Sequence, residues 1–217
     1  MRLRLPLCLA LCMVAGALCA ATVELQPNAV VANGVTPGAD VVFFGVALEP
    51  DGYGSQIEQW AQIVKSTGTT ARLELAAPVP YKSMWAVVDL DTGDFALSSP
   101  AGYTAKPAII PKKLLKKGSG DASDLLTEGR EFVQLLLVTP KKGAWQFTAM
   151  DGDGDDDGRD DGQIAASLEH FRPVDASKAP PKKLSKNDVV IMFDYNRMEA
   201  WAFSTGDEML RSADETH

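Results

Sequence analysis

The strongest chemistry in this chain is concentrated in one acidic run. Residues 151–162 read DGDGDDDGRDDG, seven Asp against one Arg. Like charge packed this densely is unfavourable unless it is solvated or meets a cation. A hard divalent cation such as Ca²⁺ takes six to eight oxygen ligands at about 2.3–2.6 Å, and a short loop supplies them by alternating carboxylates. Glycine permits the tight backbone that such a loop needs. The best register is Asp153-x-Asp155-x-Asp157-Gly158-x-x-Asp161. A start at Asp151 fits less well, because Asp156 rather than Gly then occupies the sixth position.

That spacing resembles the D-x-D-x-D-G calcium loops of EF-hands and of thrombospondin type 3 repeats. The resemblance implies Asp153, Asp155 and Asp157 as side-chain ligands and Gly158 as the turn residue. It implies the carbonyl of Arg159 as a backbone ligand and places Asp161 at the often water-mediated ninth position. The loop departs from the EF-hand at its eighth position, Asp160, and at its twelfth, Ile164, where a bidentate Glu is normal. No helical pattern flanks it, so an EF-hand fold is not expected. Losing the bidentate ligand weakens binding, but extracellular Ca²⁺ modules work at about 10⁻⁴–10⁻³ M. The expected cofactor is therefore one structural Ca²⁺, and the competing reading is a solvated acidic insertion.

Other chemistry is sparse. Only His170 and His217 are present, and all three Cys (Cys8, Cys12, Cys19) lie in the first 21 residues. Histidine-rich and thiolate metal centres are thus excluded from the rest of the chain. There is no G-x-S-x-G elbow, P-loop, G-x-G-x-x-G or H-E-x-x-H. His170 alternates with Leu168 and Ala166, the pattern of a half-buried strand histidine. Glu169 and Asp89 would be a carboxylate pair of the glycosidase kind, but acids are too abundant for that to carry weight. No catalytic residue is assigned, and a non-enzyme is expected. Trp60, Trp85, Trp145 and Trp201 each sit in an apolar strand pattern, so about three of the four are expected in the core. If instead two or three Trp or Tyr rings shared an exposed face, with Tyr195 at a hairpin tip, a Ca²⁺-dependent carbohydrate-binding module would be the alternative.

The address is read from residues 1–21, MRLRLPLCLALCMVAGALCAA. Arg2 and Arg4 precede an apolar run from Leu5 to Leu18, and cleavage is expected near Ala20/Ala21, as in a secretory signal peptide. The run is shorter than the ~20 apolar residues that span a bilayer. Cys19 stands where a lipidated Cys stands, but Leu18 precedes it in place of a small residue. An exported protein, periplasmic or extracellular, with no membrane span in the mature chain is expected. After residue 21 there are 19 basic and 29 acidic residues, which excludes a basic nucleic-acid footprint. The partner is expected to be a protein or a glycan.

The elements that must hold the loop read as short strands separated by turns. They cover Val41–Leu48, Arg72–Leu75, Met84–Leu90, Phe95–Leu97, Phe132–Thr139, Trp145–Met150, Gln163–Phe171, Val189–Phe193 and Met198–Phe203. The last two should form a hairpin around Asp194–Arg197. Ile57, Trp60, Ala61 and Val64 also fit one helix face, but their β neighbourhood favours a strand. Pro-Lys-Lys-Leu-x-Lys occurs at Pro111–Lys116 and again at Pro181–Lys186. Solvated crossover loops account for it better than a basic docking stripe.

With 217 residues, 23 % charged and 46 % hydrophobic, this pattern predicts an all-β fold, an antiparallel β-sandwich with the Asp-rich loop between two strands. Residues 34–45 (GVTPGADVVFFG) resemble the opening strands of immunoglobulin-like modules of bacterial surface proteins, which implies an immunoglobulin-like sandwich. The sandwich is expected over residues 22–205, followed by a flexible tail at 206–217. One large sandwich and two small ones divided near residues 100–106 both fit. Together these readings predict an exported binding or scaffolding protein.

Overall fold

A computed structural model describes residues 21–48, 57–80, 82–98, 104–110, 132–150, 172–174, 183–194 and 199–204. Thirteen strands make up the described fold, and no helix occurs among the described residues. In chain order they are β1 (Thr22–Gln26), β2 (Ala29–Asn33), β3 (Asp40–Leu48), β4 (Ile57–Lys65), β5 (Thr70–Glu74), β6 (Ser83–Asp89) and β7 (Phe95–Ser98). They continue with β8 (Thr104–Ile109), β9 (Phe132–Thr139), β10 (Gly143–Met150), β11 (Arg172–Pro173), β12 (Val189–Asp194) and β13 (Glu199–Ser204). The fold is all-β, as the turn-punctuated apolar runs predict. The ambiguous stretch at Ile57 is strand β4.

Three sheets form, in the orders β1-β2-β5, β4-β3-β6-β7 and β11-β10-β9-β12-β13-β8. Every pairing is antiparallel except β8 with β13, which is parallel. The expected final hairpin is present as β12–β13, with Asp194 opposite Glu199.

The sheets stack in three layers, with the four-stranded sheet in the middle. Side chains alternate across a strand, so each face of β3 and β6 meets a different neighbour. Val42, Phe44, Val46, Met84, Ala86 and Val88 share a core with Leu136, Val138, Ile191 and Phe193 of the six-stranded sheet. Phe44 stacks on Phe193 at 4.9 Å between ring centroids. On the opposite face, Val41, Phe43, Trp85 and Val87 pack with Val30, Ala32, Ala71 and Leu73 of the three-stranded sheet. Every residue from Val41 to Ala47 and from Ser83 to Asp89 is buried. That is why these two strands read as continuous apolar runs rather than as alternating ones.

The outer face of the three-stranded sheet does alternate. Its polar side chains interlock there, with Arg72 donating to Glu74 and Gln26, and Gln26 donating to Glu24. The far face of the six-stranded sheet carries a third apolar cluster, including Leu135, Leu137, Trp145, Phe147, Leu184 and Met192. Leu184 belongs to the second Pro-Lys-Lys-Leu-x-Lys copy. Among the described residues of that copy, Lys183, Ser185 and Lys186 are exposed and Leu184 is buried.

Candidate functional site

The acidic run leaves the six-stranded sheet from β10. That strand starts after a tight turn in which the Lys142 N–H donates to the Thr139 carbonyl at 2.9 Å. Lys141 (φ 62°) and Gly143 (φ 139°) both adopt positive φ there. The Lys141 N–H also reaches across to the Leu90 carbonyl at 2.6 Å, joining the middle and outer sheets at that end. β10 then runs to Met150 at its other end. The chain returns as β11, with Arg172 opposite Gln146 and Pro173 opposite Trp145. The Val174 N–H closes this pairing on the Ala144 carbonyl at 3.0 Å. Residues 151–171 therefore connect two hydrogen-bonded neighbours on one edge of the sheet. Asp153, Asp155, Asp157, Arg159 and Asp161 lie outside the described residues, as do Glu169, His170 and Tyr195. Among the described residues, no three His, Cys, Asp or Glu come together as a metal cluster.

Two buried carboxylates that the sequence does not single out as clamps tie turns to distant segments instead. Asp89, at the end of β6, accepts from the Thr36 N–H at 2.7 Å on one oxygen. Its other oxygen accepts from the Asp91 N–H at 2.8 Å and the Thr92 N–H at 3.3 Å. Asp188 accepts from the Ser185 N–H at 2.7 Å, the Ser185 hydroxyl at 2.8 Å and the Thr139 hydroxyl at 2.9 Å. Each carboxylate is occupied by donors of its own turn and of one distant segment. The sequence signal is an Asp at the junction of an apolar strand and a turn, after β6 for Asp89 and before β12 for Asp188, an arrangement in which Asp bonds nearby amides. Asp89 thus acts as a turn clamp, and the arrangement gives no support to its pairing with Glu169.

The tryptophans divide evenly rather than three to one. Trp85 and Trp145 are buried, while Trp60 and Trp201 are half-buried. Trp60 stacks on Trp85 at 5.0 Å, on the middle-sheet face that meets the three-stranded sheet. Trp201 stacks on Phe203 at 5.8 Å, on the far face of the six-stranded sheet, and donates its indole N–H to Glu199. The two partly exposed indoles therefore occupy different layers and share no face.

Gly45 is a feature that strand patterning alone misses. It lies directly between Trp60 on β4 and Trp85 on β6. Those two strands are second neighbours, about 10 Å apart, yet their rings meet at 5.0 Å. The rings lean inward over Gly45, and a Cβ there would stand 2.6 Å from the Trp85 ring. A lone Gly inside an apolar strand is the available sequence signal, because it marks a close approach.

Ser204 places a buried hydroxyl in the core without a hydrogen-bond partner among the described residues. Leaving such a group unpaired costs about 1–3 kcal/mol. Ser204→Ala is therefore expected to leave stability unchanged or to raise it by up to about 1 kcal/mol. The urea midpoint measures this, and a clear fall would show that the hydroxyl is paired.

No protein-family model, no curated protein and no solved structure matches this chain. No helix among the described residues is long and apolar enough to cross a membrane.

Proposed function

We propose that the protein is exported after cleavage near Ala20/Ala21 and serves as a non-enzymatic binding or scaffolding module with an immunoglobulin-like sandwich at its core. In this reading its Asp151–Gly162 loop holds one structural Ca²⁺. Asp153, Asp155 and Asp157 bind through their carboxylates, Arg159 through its carbonyl and Asp161 through a water. The D-x-D-x-D-G-x-x-D spacing is the observation that carries the reading. The anchoring of the loop supports it, because β10 and β11 are paired neighbours and a cation between them would fix both ends of an edge connection. The onset of β1 at Thr22 supports the export reading, since removing the leader takes no residue from any described strand. Ca²⁺ acts here as a clip, because a hard cation held by carboxylates does not by itself activate a nucleophile. The partner is a protein or a glycan.

The test is the thermal midpoint of residues 22–217 with excess Ca²⁺ and with a chelator. A ligand at 100 times its dissociation constant adds about 2.7 kcal/mol. In a chain of this size that corresponds to a rise of roughly 5–11 °C. Asp153→Asn combined with Asp157→Asn should abolish the rise. A midpoint indifferent to millimolar Ca²⁺ would make the loop a solvated insertion.

A further inference from the structure

We propose that the protein forms a symmetric dimer by antiparallel addition of β4 to the β4 of a second copy. The described edges other than β4 are short or interrupted: β1 and β5 have five residues each, β7 four and β11 two, and β8 contains Pro107. Shortness and proline are the usual devices that stop an edge from recruiting another strand. β4 has neither. It is nine residues long, pairs with β3 in unbroken register from Ile57 to Lys65, and contains no Pro, Gly or bulge. Between Glu58 and Lys65 it carries no charge.

Its outward hydrogen-bonding groups can be assigned by parity. In an antiparallel ladder, alternate residues point their N–H and C=O at a given neighbour. The Ser66 N–H donates to the Ala39 carbonyl, and the Leu90 N–H donates to the Asp40 carbonyl. Odd-numbered β3 residues therefore bond to β4, and within β4 the even-numbered residues face β3. Gln59, Ala61, Ile63 and Lys65 turn their backbone groups outward, and among the described residues no backbone bond reaches them.

The side chains select the occupant. A two-fold axis perpendicular to the sheet keeps each face continuous, so only residues of like parity come opposite one another. With Gln62 on the axis, Trp60 lies beside the partner's Val64 and Ala61 beside the partner's Ile63, each pair occurring twice. Gln62 meets the partner's Gln62, a donor and acceptor amide facing its own kind. Aromatic–β-branched and apolar cross-strand pairs are the favourable ones. Shifting the axis to Ala61 would set Trp60 against Gln62 and Glu58 against Val64, polar against apolar. Trp60, Ala61, Ile63 and Val64 are all half-buried, so each has surface left to cover. The strand is complementary to itself, and the product is one sheet running through both middle layers.

Light scattering on purified residues 22–217, across micromolar concentrations, tests this. The expected result is twice the mass of a single chain. Ile63→Pro removes an outward N–H and leaves the β3 ladder intact, so it should give a folded monomer with an unaltered circular dichroism spectrum. Gln62→Lys, at an exposed position, sets two like charges opposite one another and should weaken the dimer roughly tenfold. Mixing Gln62→Lys with Gln62→Glu should restore it. A protein that is monomeric at every concentration overturns the proposal and leaves this edge to a foreign strand. A dimer that survives both Ile63→Pro and Gln62→Lys overturns it equally.

Discussion

Replacing Gly45 with Ala is expected to lower the thermal midpoint by about 6–12 °C, the equivalent of about 3 kcal/mol in a chain of this length. The new methyl would stand 2.6–2.7 Å from three ring carbons of Trp85. That ring has no room to retreat. It is fully buried, its indole N–H is bonded to the Ser83 hydroxyl at 2.8 Å, and Trp60 is stacked on it. Backbone strain plays no part, because Gly45 is not among the positive-φ glycines. The penalty is purely steric, so shrinking the ring should relieve it. In a double-mutant cycle, Gly45→Ala with Trp85→Leu should lose less than the sum of the two single changes. A single variant melting within about 2 °C of the parent would show that the indoles can separate.

Asp89→Ala should have an effect of similar size, about 3 kcal/mol. Hydrogen bonds to a charged acceptor contribute about 1.5–3 kcal/mol each, and those sharing one carboxylate are not additive. The carboxylate joins two turns that are distant in sequence. Thr36 belongs to the connection from β2 to β3, while Asp91 and Thr92 belong to the β6–β7 hairpin. Removing it takes the shared acceptor from three N–H donors. Asp89→Asn should fall between alanine and the parent, because one oxygen still serves Asp91 and Thr92 while the amide nitrogen confronts the Thr36 N–H. The urea midpoint ranks the three proteins, and hydrogen exchange at Thr36 reports the lost bond directly. An alanine variant within about 0.5 kcal/mol of the parent would show that Asp89 does not clamp the two turns.

Most strands are legible in the sequence because periodicity is a local signal. Thr70–Glu74 alternates as a half-buried strand must, and Val41–Ala47 and Met84–Val88 are unbroken apolar runs. The second covering layer over those runs is not local. It arises because β9, β10, β12 and β13 fold back over a face that a two-layer sandwich would leave to solvent, and nothing in β3 itself distinguishes one cover from another. The strands β1 and β2 are too short and too close to the leader for a pattern to stand out. In β8, Lys106 and Pro107 disguise an edge strand whose pairing with β13 is parallel and distant in sequence. The tryptophans show the same limit. Each indole sits in an apolar strand, but only the tertiary fold decides that Trp60 and Trp201 keep part of their surface in solvent. The Asp-rich loop is legible as ligand spacing alone, and its five named residues lie outside the described structure.

The doubly covered middle sheet also imposes an order on the life of the chain. Its strands β3 and β6 are complete by Asp89, and the three-stranded sheet that seals one face is complete by Glu74. The other face waits for β9, β10, β12 and β13, the last of which ends at Ser204. During synthesis, the apolar plane of Val42, Phe44, Val46, Met84, Ala86 and Val88 therefore lacks its full cover until more than a hundred further residues are made. Until those residues arrive, the nascent chain depends on whatever holds that plane apart from its neighbours.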